Sequence, residues 1–299
     1  MNARFGFGIV KLTRRSVNAW FSHDAASRGA SLSFYTLFAL APVLLIATWV
    51  GETILGKDSV NRSIVAQLQA LIGDAGASAV SALLEGSMHF GNGVARSVIG
   101  FVSLLVGATS VFAELQRALN TVWGTHTPIG ARGIWQSLRT RILSFGLILG
   151  MGFLLLVSLI ISAALSALGV WLGSVIAQWT QLLSVVNTLL GLGIATLLFA
   201  MIYKFLPNRT IAWGDVWVGA LVTAGLFMVG KLLIGLYLSK SAFTSGYGAA
   251  GSLLVLLLWI YYSAQIFLFG AEFTHAFAYE HGSQRRRFSS YRQPRRLPT

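Results

Sequence analysis

Residues 249–278 read AAGSLLVLLLWIYYSAQIFLFGAEFTHAFA, thirty residues with a single charged side chain, Glu272. A helix needs about 20 apolar residues to cross the hydrocarbon layer of a bilayer, so this stretch predicts a membrane-spanning helix. Five further stretches have the same character, at 31–51, 97–117, 141–172, 183–206 and 215–238. The sequence therefore predicts an all-α, polytopic membrane protein with six transmembrane helices.

The lysines and arginines between these stretches alternate in density from one gap to the next. Seventeen of the 22 lie before the first stretch, around the gap after the second, after the fourth, or in the tail. The gaps on the opposite side hold only Lys57, Arg62, Arg96 and Lys240. Cytoplasmic loops of membrane proteins carry the excess of basic residues, so we expect both termini in the cytoplasm.

The composition excludes an ordinary soluble domain. The 299 residues are 55% hydrophobic and 10% charged, with a mean hydropathy of +0.71. A net charge of +13 is also typical of nucleic-acid binding, but here the basic excess sits where membrane topology requires it. We therefore expect anionic headgroups and membrane lipids as partners, and no nucleic acid. The absence of cysteine excludes disulfides and thiolate chemistry.

Three regions are predicted along the chain. Residues 1–30 form a cytoplasmic interfacial segment, because 5–21 mixes aromatic and basic residues as an amphipathic helix at a membrane surface does. Its first 29 residues do not resemble a cleaved signal peptide. Residues 31–279 form the six-helix membrane domain, with amphipathic helices in an exterior segment at 52–96. Residues 280–299 form a basic, disordered cytoplasmic tail.

Polar side chains follow one face of three predicted spans. The second span carries Ser103, Ser110, Glu114, Arg117 and Thr121; the third carries Arg141, Ser144, Met151, Ser158 and Ser162; the sixth carries Trp259, Tyr262, Gln265, Glu272 and Tyr279. Such groups either hydrogen-bond between helices to fix their packing or line a shared polar path for a substrate. Under the second interpretation, we expect Glu114 and Arg117, which can pair locally, to face Glu272 at the cytoplasmic end of the bundle.

Two further positions stand out within predicted spans. Pro42 removes a backbone hydrogen bond near the middle of the first span and predicts a kink near Phe38. Lys231 lies deep in the fifth span, sharing a helical face with Thr223 and Gly235. It either attracts a phosphate or carboxylate headgroup along a substrate path, or it extends to the exterior surface without a specific role.

Signatures of metal or nucleotide chemistry are missing. Glu272 and His275 have the spacing of half a di-metal helix motif, but no second Glu-x-x-His occurs. The chain has neither a P-loop nor a G-x-S-x-G motif. We therefore expect no metal site, no cofactor and no enzymatic activity.

Several stretches resemble the YihY/virulence factor BrkB family of membrane proteins, formerly labelled ribonuclease BN. They are ASRGASLSFYT at 26–36, ALNTVW at 118–123, FLPN at 205–208, and LLLWIY at 256–261 leading to GAE at 270–272. The resemblance covers about residues 10–280. It implies a six-span protein of the bacterial inner membrane that contributes to envelope integrity, with a related branch linked to lipid or lipopolysaccharide export. The sequence contains no metal-ligand cluster and no paired acid and base histidines, so its residues do not support the ribonuclease label.

Three functions follow, in order of preference. The first is a transporter or flippase for a lipid or amphipathic envelope component. The second is a non-transporting scaffold for envelope assembly, with 52–96 as the surface that contacts envelope proteins. The third, a tRNA-processing ribonuclease, is the least favoured because the residues for its chemistry are missing.

Overall fold

The computed structural model describes residues 2–55, 81, 109–125, 146, 150, 178–240 and 249–284. Every regular element in these ranges is a helix, in agreement with the predicted all-α class. Most of the predicted third span and of the exterior segment, and the tail after residue 284, lie outside the described residues.

Six helices are present in the described part of the chain. They are α1 (Asn2–Ser22), α2 (Ala25–Leu55), α3 (the helical segment 109–122), α4 (Gln178–Phe205), α5 (Trp213–Lys240) and α6 (Ala249–Glu280). Helix α1 contains the predicted amphipathic stretch. Helices α2, α4, α5 and α6 contain the predicted first, fourth, fifth and sixth spans, apart from Leu206 at the end of the fourth.

Three of these helices are long and apolar enough to cross a membrane. The stretches are Val185–Phe205, Trp213–Ile234 and Leu253–Glu280, with mean hydropathies of 2.2, 1.9 and 2.0. Each is at least 21 residues long, which meets the length that a bilayer's hydrocarbon layer demands.

The breaks between helices have local causes. Asp24 has a φ of 51°, a left-handed conformation that Asp tolerates better than most residues, and it separates α1 from α2. Helix α2 thus begins at Ala25, inside the region that the sequence predicts as the interfacial segment. Gly124, with a φ of 58°, ends α3 in a Schellman motif, where Thr125 N donates to Asn120 O at 2.8 Å. Pro207 follows α4 and cannot continue it.

The chain divides into two compact units. The first unit comprises residues 1–23, 119–226 and 269–299, and the second comprises 24–118 and 227–268. In the first unit, α5 and α6 approach closely through two matched pairs. A β-carbon on Gly219 would overlap Thr274, and one on Gly270 would overlap Thr223. Glycine on each helix therefore leaves the space that the threonine on the other one fills.

Candidate functional site

A buried carboxyl group near the end of α6 is the centre of a polar cluster in the first unit. Glu272 is 1% exposed, and its Oε1 lies 2.6 Å from Nδ1 of His23. His23 occupies the turn after α1, and its side chain is 31% exposed. The other carboxyl oxygen of Glu272, Oε2, is buried without a hydrogen-bond partner among the described residues. The pair therefore joins a fully buried acid to a partly exposed base.

His23 was not singled out from the sequence, although a signal for it exists. Among the side chains of α1 from residue 10 onward, Leu12 and Ser16 are buried, and Ser16 Oγ donates to Leu12 O at 2.9 Å. Steps of three and four residues lead from them through Ala19 to His23, so these residues share one helical face. That spacing places His23 on the side of α1 that faces the protein.

One turn beyond Glu272, an arginine and three aromatic rings form the second part of the cluster. The His275 ring lies 5.1 Å from the Trp123 ring and 4.6 Å from the Tyr279 ring, measured between centroids. The Arg209 guanidinium lies 6.0 Å from the Trp123 centroid and 5.7 Å from that of Tyr279, within the range of cation–π attraction. It also donates to Trp123 O at 3.1 Å and to Gln284 Oε1 at 3.4 Å. Arg209 thus connects the end of α3 to the end of α6.

Further polar contacts join the remaining segments of the first unit to this end of α6. The Asp215 carboxylate on α5 accepts from Ser283 Oγ at 2.7 Å and from Ser283 N at 3.1 Å. Arg15 on α1 pairs with Glu280. The contacts give α1, α5 and the end of α6 a fixed arrangement within this unit. Fixed polar contacts of this kind hold a site's geometry.

In the second unit, the pairing that the sequence predicts for Glu114 and Arg117 is present. Arg117 Nη1 lies 2.8 Å from Glu114 Oε2, with Glu114 buried and the Arg117 side chain 59% exposed. A half-exposed pair between residues three apart on one helix is a weak interaction. Its membership in a substrate path remains a prediction, as does its predicted approach to Glu272.

Gln265 contacts the start of α2. Its Nε2 donates to Ala25 O and Ala26 O, both at 3.4 Å, while its Oε1 is buried without a partner among the described residues. A β-carbon on Gly29 would overlap the Gln265 amide, so α2 and α6 pack closely at this point. The Gln265 side chain therefore fills the space between α2 and α6 at this contact.

Lys231 is half-buried on α5 and makes no hydrogen bond or ion pair within the described part of the chain. Phe227 and Ile234 on its own helix, and Trp259, Tyr262, Ser263 and Ile266 on α6, surround the space beside it. This space does not admit a water molecule. A headgroup therefore cannot enter between these side chains as they are placed.

The second unit also contains an apolar cavity that the sequence does not reveal. It has a volume of about 460 Å³, is partly open, and lies between α2 and α6. Its lining residues are Ala30, Ser33, Phe34, Leu254, Val255, Leu257, Leu258 and Tyr261. Only two carry a side-chain hydroxyl, and Ser33 Oγ already donates to Ala30 O at 2.8 Å. The cavity therefore suits hydrocarbon better than a polar solute.

Two further positions that the sequence singles out are Arg141 and Pro42. Arg141 lies outside the described residues. Helix α2 continues through Pro42, whose predicted kink stays a prediction. Among the described residues, no three His, Asp or Glu side chains are grouped so as to hold a metal ion.

Comparison with known proteins agrees with the resemblance noted in the sequence. The family described as Virulence factor BrkB matches residues 17–294. A UPF0761 membrane protein of Ralstonia nicotianae is 28% identical over 244 residues, 81% of this chain and 53% of that protein. One of Rhodospirillum centenum is 25% identical over 89% of this chain and 57% of its own length. One of Alteromonas mediterranea is 29% identical over 81% of this chain and 79% of its own length.

The chain thus spans little more than half the length of the first two relatives. No solved structure matches it. The family match extends over nearly the whole chain and includes the four stretches of sequence on which the resemblance rests. The chain is a membrane protein of the virulence factor BrkB family.

Proposed function

We propose that this chain is a transporter or flippase that moves a lipid, or another amphipathic envelope component, in the bacterial inner membrane. The observation that carries the proposal is the apolar cavity between α2 and α6. Its volume of about 460 Å³ falls within the range of roughly 300–1,000 Å³ that ligand pockets occupy. Hydrocarbon walls with two hydroxyl groups fit an acyl chain better than a sugar or an ion.

Helix α1 supports the proposal because one of its faces is suited to a membrane surface. Val10 and Phe21 are 69% and 68% exposed, and Val17 lies with them on the side opposite the buried Leu12. The basic residues Lys11 and Arg14 are exposed beside this apolar face. A helix with exposed apolar and basic residues binds at the level of anionic headgroups, where it can collect lipid.

The proposal places both termini in the cytoplasm, in keeping with the 17-to-4 distribution of basic residues. Reporter fusions at the carboxyl terminus and within 57–92 test this orientation. We expect cytoplasmic activity from the first and exterior activity from the second. An exterior carboxyl terminus would overturn the predicted count of six spans.

The proposal is for transport without covalent chemistry. A hydrocarbon-walled cavity offers no acid, base or metal ligand beyond the hydroxyls of Ser33 and Tyr261. The candidates for a headgroup path are the polar residues that the sequence predicts, and at Lys231 such a path requires the neighbouring side chains to move apart. These residues are Glu114, Arg117, Arg141, Gln265, Glu272 and Lys231. Membrane lipids are then the proposed binding partners, and the proposed transport uses no cofactor.

Transport is tested by reconstituting the full chain in liposomes and following the movement of a labelled lipid between leaflets. Leu257→Trp fills the cavity, whereas Leu253→Trp adds the same bulk at an exposed position on α6 that does not line it. We expect the wild type and Leu253→Trp to move lipid and Leu257→Trp to lose most of this rate.

Two results would count against the proposal. Equal rates for the two tryptophan variants would show that the cavity is not used. No lipid movement by the wild type, across liposomes with neutral and anionic headgroups, would leave the scaffold for envelope assembly as the better account.

A further inference from the structure

We propose that Glu272 and His23 form a proton-binding site, in which the buried carboxyl holds a proton and the imidazole exchanges it with water. The purpose of the site rests on the proposed transport function, because a proton bound there is suited to couple or gate the movement of a substrate. The binding of the proton does not depend on that function.

The first observation is that the two carboxyl oxygens of Glu272 have different surroundings. Oε1 is bonded to His23, whereas Oε2 is buried without a partner among the described residues. An ionised carboxylate shares its charge between both oxygens, so a partnerless Oε2 away from water is strongly unfavourable. A protonated carboxyl concentrates its hydrogen bonding in one O–H group and leaves a neutral carbonyl oxygen at the other position. The geometry thus suits an acid that carries a proton.

The second observation is the exposure of the two partners. Glu272 has no contact with water of its own, while His23 keeps 31% of its side chain exposed and touches Oε1 through Nδ1. Imidazole carries protons on either ring nitrogen, so it can accept one at Nε2 and release another from Nδ1. Chains of carboxyl and histidine side chains act as proton relays in transporters. His23 is therefore the route between Glu272 and water.

The exchange step balances without any other reactant. A proton from solution binds His23 Nε2, the Nδ1–H bond breaks, and an O–H bond forms at Glu272 Oε1. The carboxylate becomes a neutral acid, and His23 stays neutral with its proton moved from Nδ1 to Nε2. The reverse sequence returns the proton to water.

Other ionisable groups of the first unit are engaged elsewhere, and Asp24, which follows His23 in the chain and begins the second unit, is exposed. On α6, His275 contacts Trp123 and Tyr279, and Glu280 pairs with Arg15 of α1. Arg209 stacks on the rings of Trp123 and Tyr279, and Asp215 of α5 accepts from Ser283. Among the described residues, His23 is the partner that Glu272 has.

The competing account is a structural pair that fixes the end of α6 and holds no exchangeable proton. Infrared spectroscopy of the full chain in lipid nanodiscs separates the two accounts, because only a protonated carboxyl shows the carboxylic acid C=O stretch. Glutamate labelled with ¹³C identifies the band as one from a glutamic acid. The matched control is Glu280→Gln, which removes another glutamate of the same helix. This glutamate pairs with Arg15 rather than with His23.

We expect the wild type to show this band and to lose it reversibly as the pH is raised. The band is absent from Glu272→Gln and retained in Glu280→Gln. His23→Gln keeps the band, but its shift on transfer to D₂O becomes slower by roughly 100-fold, because the relay is missing. This last variant keeps the test valid if Glu272→Gln does not fold.

Three results would overturn the proposal: no carboxylic acid band in the wild type between about pH 5 and 8, an unchanged band in Glu272→Gln, or unchanged D₂O exchange in His23→Gln. The lipid-movement assay keeps this outcome apart from that of the proposed function. Lipid movement without the band removes the proton site alone, and the band without lipid movement removes the transport function alone.

Discussion

Residues 113–118 and 271–276 repeat one pattern, Ala-Glu-x-x-Arg/His-Ala, but the two glutamates bond in different ways. In the second unit, Glu114 pairs within its own helix with Arg117, whose side chain is mostly exposed. In the first unit, the hydrogen-bond partner of Glu272 is His23, 249 residues earlier in the chain, rather than the histidine three residues later. The spacing of residues along a helix therefore predicts which pairs can form, whereas burial and contacts with other segments determine which pairs do form.

The length and shape of the basic side chain explain part of this difference. Arginine is long and flexible enough to reach back along the helix to an acid three residues earlier, with its head in water. Imidazole is shorter and planar, and His275 packs against Trp123 and Tyr279 instead. Glu272 is then left in a buried position where only a group from another segment can reach it.

The largest expected effect comes from removing the basic partner of each glutamate. His23→Ala leaves the Glu272 carboxyl buried with no partner among the described residues, and we expect it to lower the free energy of unfolding by about 3 kcal/mol, the upper end of the cost of an unsatisfied buried hydrogen-bonding group. Arg117→Ala, the matched change, removes an exposed partner and should lower it by about 0.5 kcal/mol or less. Unfolding in detergent micelles measures both. Similar losses would show that the two pairs are equivalent and would end the comparison.

The next effect compares two close glycine contacts, one in each unit. A β-carbon on Gly270 would overlap Thr223, which is fully buried, β-branched and bonded to Gly219 O at 2.7 Å, so it cannot move aside. We expect Gly270→Ala to destabilise the protein by about 2 kcal/mol. The overlap in Gly29→Ala is with the end of the Gln265 side chain, which is flexible, so its loss should stay below about 1 kcal/mol.

Gly225→Ala is the control for this pair, because no atom of the described residues lies within 4 Å of a β-carbon at that position of α5. Alanine favours a helix over glycine by roughly 0.5–1 kcal/mol, so this variant should gain stability. Thermal unfolding of the three variants in the same detergent ranks them. A larger loss in Gly29→Ala than in Gly270→Ala would contradict the expected order.

A smaller effect is expected at Arg209, where the shape of the cation matters. Arg209→Lys keeps the charge but loses the planar group that lies over Trp123 and Tyr279, and it loses one of two hydrogen bonds. We expect a loss of about 1 kcal/mol, typical of a partly exposed cation–π contact. Near-ultraviolet circular dichroism should report the change around Trp123. An unchanged spectrum together with unchanged stability would mean that charge alone suffices at this position.

The helices were largely predictable from the sequence, whereas the contacts of the site were not. The apolar stretches predict α2, α4, α5 and α6 because the length and hydropathy of a span are local properties. The Glu114–Arg117 pair follows equally from local spacing. The bond between Glu272 and His23 depends on how α1 packs, and the stacking of Arg209 depends on the ends of α3 and α6 meeting its loop. Both depend on contacts distant in sequence, which no periodicity encodes. The cavity between α2 and α6 likewise arises from the gap left by two apolar faces, each of which looks ordinary by itself.

The smallest effect is expected at Lys231, a basic residue of the second unit whose contacts contrast with those of Arg209 in the first unit. Arg209 is bonded and stacked, whereas Lys231 makes no hydrogen bond or ion pair within the described residues, and the space beside it admits no water. Lys231→Met keeps the length of the side chain and removes its charge. If the amine merely extends toward the membrane surface, stability should change by less than about 0.5 kcal/mol and lipid movement should match the wild type. A large drop in the rate of lipid movement, at an unchanged amount of folded protein, would instead show that Lys231 attracts an anionic headgroup. That result would require Trp259 and Tyr262 to move apart when substrate binds, because their present positions leave no room for one.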